Sequence, residues 1–178
     1  MLRESELLVL NRLTLDPEGK GFVSQIGRDI GRSKGEVSKA VKELKHCGLV
    51  RTETSGRNMV CSIDSRSPVF TQLRRSFNLL EVMPQVAGLR KCSVKIVLFG
   101  SCSQGTDTAK SDIDILVVTQ DKSEVQKAVQ KIKFPRSVQW VIKTPQEYVI
   151  LNGKEPVFAA ELSRGILLWE APGESGNE

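Results

Sequence analysis

Apolar residues recur at strand and helix spacing in the C-terminal half of the chain. One apolar run, 94–99, ends at Gly100-Ser101, and a second, 115–118, is opened by Ser111-Asp112-Ile113-Asp114. The segment between them is rich in Gly, Ser and Thr, which predicts two joined strands. Further patterns predict helices over 122–132, from Thr144 and over 156–163, and strands over 137–143 and 166–169. This alternation places the chain in the α/β (α+β) class.

Paired carboxylates open the second strand. Because side chains alternate along a strand, Asp112 and Asp114 share one face, while Ile113 and Ile115 point into a core. Two neighbouring carboxylates repel each other, and a hard divalent cation would compensate them. Mg²⁺ (or Mn²⁺) suits the position, since it is usually held by one or two carboxylates together with substrate phosphates. Asp112 and Asp114 are therefore candidate metal and catalytic residues.

The end of the first strand has the residues of a phosphate site. Gly100 lets a phosphate approach the backbone closely, and Ser101 adds a hydroxyl and an N–H near the start of the next helix. Gly100, Ser101 and Ser111 are the candidate contacts for a ligand that carries phosphate. The alternative interpretation is a surface Gly/Ser loop followed by an edge strand with two solvated aspartates.

Helical spacing dominates the N-terminal part. The pattern predicts a helix over 4–14, a short helix capped by Ser24, and a third that begins with a Ser33–Glu36 capping box and stops at Gly48. A hairpin follows, with strands over 49–54 and 59–63 and a turn over 55–58. Two helices, a tight turn and a hairpin predict a winged helix-turn-helix domain over 1–66. The stretch SKGEVSKAVKELKHCGLVRT also resembles the recognition helix and wing of many prokaryotic transcriptional regulators.

Positive charge is concentrated on this third helix. The chain has a net charge of +5, and residues 28–45 hold six basic residues against three acidic ones. A helix in the major groove of double-stranded DNA would use these side chains mainly for phosphate contacts. The alternative is a solvated basic face in a module for protein contacts or dimerisation. The candidate DNA contacts are Lys34, Ser38, Lys39, Lys42 and, at the wing tip, Arg57.

The remaining features set the boundaries. Ser67-Pro68 predicts the start of a connecting helix over 67–91, with a separate turn or a kinked continuation at Pro84. A domain over 92–170 and a disordered tail over 171–178 follow.

No apolar run is long enough for a membrane span, which favours a cytoplasmic protein. The four cysteines lack a CxxC pair and there is one histidine, which argues against a zinc site and a Ser-His-Asp triad.

The Gly-Ser, spacing and Asp-x-Asp pattern resembles the polymerase-beta-type nucleotidyltransferases, especially their short prokaryotic minimal branch. The resemblance covers about the last 80 residues. It implies a mixed sheet flanked by helices. It also implies two metal ions that orient a nucleoside triphosphate and an attacking hydroxyl, and we expect the nucleotide to be ATP. It also implies a third carboxylate on a later strand, where this chain has Gln139. Glutamine can ligate a cation but adds no charge and cannot act as a base. If the predicted register is off by one or two residues, Gln139 is instead an ordinary polar residue of the strand.

Two hypotheses follow. The first is a Mg²⁺-dependent enzyme that transfers AMP from ATP to a hydroxyl and is directed to DNA by its N-terminal domain. The second is a non-catalytic transcriptional regulator whose nucleotidyltransferase-like domain senses a nucleotide or mediates protein contacts. Winged-helix regulators commonly dimerise to bind paired half-sites on DNA, so we expect a homodimer. The resemblance also permits a small helical protein as partner.

Overall fold

The computed structural model describes residues 2–56 and 58–172. Its chain divides into two compact units, Met1–Phe77 and Asn78–Glu178. The predicted boundaries at 66/67 and 91/92 bracket this division. The proposed wing-tip contact Arg57 and residues 173–178 of the predicted tail lie outside the described residues.

Three helices form the core of the N-terminal unit: α1 Glu4–Thr14, α2 Val23–Asp29 and α3 Lys34–His46. The predicted capping box begins α3. The Ser33 hydroxyl accepts from Glu36 N at 3.2 Å, and the Glu36 carboxylate accepts from Ser33 N at 2.9 Å. The predicted cap at Ser24 is wrong, because α2 starts at Val23 and its N-cap is Phe22. Apolar side chains of the three helices form one buried core that includes Val9, Leu10, Leu13, Ile26, Val37, Val41 and Leu44.

A three-stranded antiparallel sheet completes this unit. Its strands are β1 Lys20–Phe22, β2 Arg51–Ser55 and β3 Asn58–Ser62, in the order β1-β3-β2. The predicted hairpin is therefore present, with a shorter turn, since Ser55 pairs with Asn58. Strand β1 was not predicted. Its three residues pair with the far end of the hairpin, a long-range contact that the local sequence does not show.

The connecting helix, α4 Pro68–Val86, begins at the predicted proline. It continues through Pro84 to Val86, so the predicted interruption at this proline is wrong, and a separate 3-10 helix, Ala87–Lys91, follows. Val82 and Val86 from its C-terminal part are buried in the core of the C-terminal unit.

The C-terminal unit is a mixed four-stranded sheet flanked by helices, as the fold class predicted. Strand β4 is antiparallel to β5 and β7, whereas β5 and β6 are parallel, in the order β6-β5-β4-β7. The strands are β4 Lys95–Phe99, β5 Ile113–Val118, β6 Val138–Lys143 and β7 Ile166–Glu170. The helices are α5 Gly100–Gln104, α6 Lys122–Val129, α7 Pro145–Val149, α8 Leu151–Lys154 and α9 Pro156–Ser163.

The two faces of this sheet have separate apolar cores. Face A is the side of β5 that bears Ile113, Ile115 and Val117, and α4 packs on it. Face B is the opposite side, where Leu116 and Val118 of β5 lie with Val97 and Phe99 of β4. The side chains that cover face B include Phe158 and Leu162 of α9. No helix among the described residues is long and apolar enough to cross a membrane.

Candidate functional site

Polar residues replace the apolar core at one end of face B. Strand alternation puts Asp114 on this face, where it pairs with Phe99 of β4 and with Gln139 of β6. Cross-strand partners project from the same face, so Gln139 lies beside Asp114. Trp140 pairs with Ile115 and packs on face A. This register agrees with the predicted placement of position 139 next to the paired aspartates.

Gly100 lies directly against Asp114. Its φ is +65°, in the left-handed region, and a Cβ added there would collide with the Asp114 carboxylate. Glycine is required here both by the backbone conformation and by the space. The predicted phosphate-contacting turn and the predicted metal ligand are thus neighbours, although β4 and β5 are separated by a long connection.

Gly100→Ala is expected to remove ligand binding at this site. The left-handed conformation costs an alanine about 1–2 kcal/mol, and the new methyl group also displaces the Asp114 carboxylate. Titration calorimetry with Mg²⁺ and ATP would measure the loss. Gly88→Ala is the control, because a Cβ at Gly88 meets no atom within 4 Å. Unchanged affinity in Gly100→Ala would show that the turn does not shape the site.

Asp112 precedes β5 and is held by its neighbours. The Ser137 hydroxyl donates a hydrogen bond to the Asp112 carboxylate. The Cys102 thiol donates to the Asp112 carbonyl at 3.4 Å, and the Ile113 N–H donates to the Ser137 carbonyl at 3.0 Å. Asp112 is exposed, whereas Asp114 is half-buried. Both carboxylates therefore lie at the open end of face B, and Ser137 is an orienting group that the sequence did not indicate.

The two predicted serine contacts differ. Ser111 accepts a hydrogen bond from Thr108 N at 3.0 Å, so its hydroxyl helps to form the connecting loop. Ser101 is half-buried at the start of α5, and its carbonyl accepts from Thr106 N at 3.1 Å. Within the described part of the chain, the Ser101 hydroxyl makes no hydrogen bond. Ser101 is thus the serine whose hydroxyl is available to a ligand.

A family comparison covers all of these residues. Residues 90–173 match the family model "Polymerase beta, Nucleotidyltransferase". This match supports a nucleotidyltransferase fold for the C-terminal unit. The matched region contains Gly100, both aspartates and Gln139, and it excludes the N-terminal unit. Comparisons with curated proteins and with solved structures gave no match.

Negative charge accumulates at the open end of this nucleotidyltransferase-type unit. Burial raises the pKa of Asp114, and the charges of Glu161 and Asp112 raise it further. Glu161 belongs to α9 and was not a predicted site residue, because only the packing of Phe158 and Leu162 on face B brings its helix here. In the part of the chain that the structure describes, none of these three carboxylates forms an ion pair. A bound cation would offset their repulsion.

The protein side chains fit a cation only in part. Among the described residues, no group of three or more His, Cys, Asp or Glu side chains could hold a metal ion. Nucleotidyltransferase domains of this family typically use divalent metals, and Asp112 and Asp114 supply the hard oxygen ligands that Mg²⁺ prefers. The Gln139 carbonyl oxygen could add a neutral ligand. The remaining positions would then be filled by water and by the phosphates of a ligand.

A buried arginine fixes the loop that carries Asp112. Arg136, directly before Ser137, donates to Asp107 at 2.8 Å, to Glu81 at 3.0 Å and to Asn78 at 3.2 Å. Asn78 in turn donates to the Cys102 carbonyl at 2.9 Å and to Asp107 at 2.7 Å. The Asp107 side chain is fully buried and that of Arg136 is 10% exposed. This network joins α4, α5, the α5–β5 loop and the start of β6.

Arg136→Met is expected to lower the free energy of unfolding by about 3–5 kcal/mol, because it removes the ion pairs of this buried guanidinium with Asp107 and Glu81. Urea denaturation measures the change. Arg90→Met is the matched control at an exposed position of the 3-10 helix, and its effect should stay within about 0.5 kcal/mol. Equal effects of the two substitutions would mean that the network adds no stability.

Proposed function

We propose that the C-terminal unit binds a nucleoside triphosphate with Mg²⁺ or Mn²⁺ and transfers its nucleoside monophosphate, AMP from ATP, to a hydroxyl acceptor. The observation that carries this proposal is the contact of Gly100 with Asp114 at the polar end of face B. It joins a turn suited to phosphate with a cation-binding carboxylate. The family match over residues 90–173 supports nucleotidyl transfer at this coarse level.

The roles of the residues follow from their positions. The open backbone at Gly100 and the Ser101 hydroxyl hold phosphate oxygens, while Asp112 and Asp114 hold the cation. Ser137 fixes the orientation of the Asp112 carboxylate. The cation, when bound, neutralises phosphate charge and orients the attacking hydroxyl. In the transfer, the acceptor oxygen bonds to the α-phosphorus, the bond to the β-phosphate oxygen breaks, pyrophosphate leaves, and the hydroxyl proton passes to water.

Gln139 favours a second candidate function. It pairs directly with Asp114, at the position where the resemblance implies a third carboxylate, and its amide is neutral. A site with two carboxylates can bind one cation and a nucleotide without holding a second cation firmly. The unit would then sense a nucleotide or mediate protein contacts in a transcriptional regulator.

Incubation with ATP labelled at the α-phosphate separates the two functions. Transfer predicts that the label moves to an added hydroxyl acceptor, or to the protein itself, with release of pyrophosphate that depends on Mg²⁺. Calorimetry under the same conditions measures binding. Tight binding without any transfer would support the sensor, and absence of both binding and transfer would contradict both functions.

For the N-terminal unit, we propose binding to double-stranded DNA by a winged helix-turn-helix. Helix α3 follows α2 after a short turn, and the hairpin β2–β3 follows α3. Lys34, Lys39 and Lys42 are exposed, and Ser38 is half-buried on the same helix. Lys34, Ser38 and Lys42 are spaced by four residues, so they form one polar stripe, with Lys39 beside it. A homodimer and a cytoplasmic location are further predictions of the sequence, and the resemblance permits a small helical protein as partner.

The double substitution Lys39→Glu, Lys42→Glu is expected to weaken binding to duplex DNA at least about tenfold. It should also make the plot of log affinity against log salt shallower by about 2, since each lysine neutralises one phosphate. Fluorescence anisotropy over a salt series measures both effects. The control Lys127→Glu, Lys131→Glu makes the same charge change at exposed positions of the other unit. Equal losses in the two variants would contradict a contact through α3.

A further inference from the structure

A groove lies beside the candidate site, between the end of α5 and the outer side of α9. Its cavity volume is about 510 Å³, within the range of roughly 300–1,000 Å³ that is usual for small-molecule sites. The groove is therefore large enough for part of a nucleotide. The lining residues are Gln104, Pro156, Val157, Ala160, Glu161 and Arg164.

The groove lies close to the proposed phosphate and cation site. Gln104 is the last residue of α5, the helix that begins at Gly100, so the two residues are about 6 Å apart along the helix axis. Glu161 lines the groove, and its charge also acts on Asp114. A ligand whose phosphates lie at Gly100 could therefore extend into the groove.

The lining suits the uncharged part of a nucleotide better than another phosphate. Pro156, Val157 and Ala160 give it an apolar wall, and Val157 is 84% exposed. The Gln104 amide can donate and accept hydrogen bonds, and the Arg164 guanidinium can stack on a base. The Glu161 carboxylate repels phosphate but can accept a hydrogen bond from a ribose hydroxyl.

We propose that the α5–α9 groove holds the base and ribose of the nucleotide whose phosphates lie at Gly100 and Ser101. This inference rests on the proposed function of the C-terminal unit. It assigns Gln104, Glu161 and Arg164 to recognition of the nucleoside, and it makes α9 the element that distinguishes a nucleotide from inorganic polyphosphate.

Filling the groove tests the inference. Ala160→Trp places an indole in the groove at an exposed position of α9, so the fold should tolerate it. Titration calorimetry of the full chain with Mg²⁺ compares ATP with inorganic tripolyphosphate. The natural protein should bind ATP about tenfold more tightly than tripolyphosphate. In Ala160→Trp this difference should disappear, while the affinity for tripolyphosphate stays unchanged and shows that the site is folded.

Two further variants keep the outcomes separate. Gln104→Ala should lower the affinity for ATP alone by about threefold or more. Val149→Trp adds the same indole at an exposed position of α7, outside the groove, and should change neither affinity. If Asp114→Asn loses ATP and Ala160→Trp keeps it, the groove inference is overturned and the proposed function stands. If the natural protein binds neither ligand, both are overturned.

Discussion

Asp114→Asn is expected to lower the Mg²⁺-dependent affinity for ATP, and any nucleotidyl transfer, at least about 100-fold. The Asp114 carboxylate lies against Gly100 of the proposed phosphate site, and Asp114 pairs with Gln139 on the neighbouring strand. It therefore belongs to both the proposed phosphate site and the proposed cation site. Changes in groups that only orient metal ligands typically cost 10–100-fold in affinity or activity, and the loss of a ligand should cost at least as much. Calorimetry with ATP and Mg²⁺ measures the effect on binding.

The same substitution should leave the fold intact. Burial, Glu161 and Asp112 raise the pKa of Asp114 in the folded state. The folded protein therefore holds this proton more firmly than the unfolded chain, and the stability contributed by Asp114 falls as pH rises through its raised pKa. At neutral pH, the charged Asp114 carboxylate lowers the stability of the folded state, and asparagine removes this charge. The variant should therefore be at least as stable as the natural protein at neutral pH in the absence of metal. A lower stability, measured by urea denaturation, would contradict the described environment of Asp114.

Strand alternation was sufficient to predict which face of the sheet Asp114 occupies. The alternation in Ile113–Val118 determines which side chains face the core, and hence that Asp114 faces away from Ile113 and Ile115. The placement of Gln139 beside the aspartates came from the resemblance, which implies a third carboxylate there, and the parallel register of β5 and β6 pairs Gln139 with Asp114. The first inference needed only the period of a strand, whereas the second needed the resemblance.

Tertiary packing supplied what the pattern could not. Glu161 lies in an exposed turn of α9, and its effect on Asp114 depends on how that helix packs on face B. Arg136 belongs to no recognisable sequence motif, and its partners Asn78, Glu81 and Asp107 are distant in sequence. Its buried network could therefore not be predicted from the local pattern. The missed strand β1 has the same cause, since its residues pair with the end of the hairpin.

Gln139→Asp is expected to give the largest gain at the candidate site. It adds a third carboxylate to face B beside Asp114, without a change in strand register. Without metal, the new charge repels Asp114 and should reduce stability. With Mg²⁺ it should raise cation affinity by about tenfold, because an added charged ligand compensates the cation more fully than a neutral amide. Transfer of labelled AMP should rise in parallel if a second cation can then be held.

Whether Gln139→Asp raises or lowers nucleotidyl transfer decides between the two proposed functions. Transfer that appears only in Gln139→Asp would show that the natural protein binds nucleotides without using them as donors. Efficient transfer by the natural protein, reduced in Gln139→Asp, would show that a neutral residue is part of an active site. Gln146→Asp makes the same chemical change at an exposed position of α7 and should alter neither cation affinity nor transfer. If both variants bind Mg²⁺ as the natural protein does, position 139 does not contact the cation, and the proposed metal site is limited to Asp112 and Asp114.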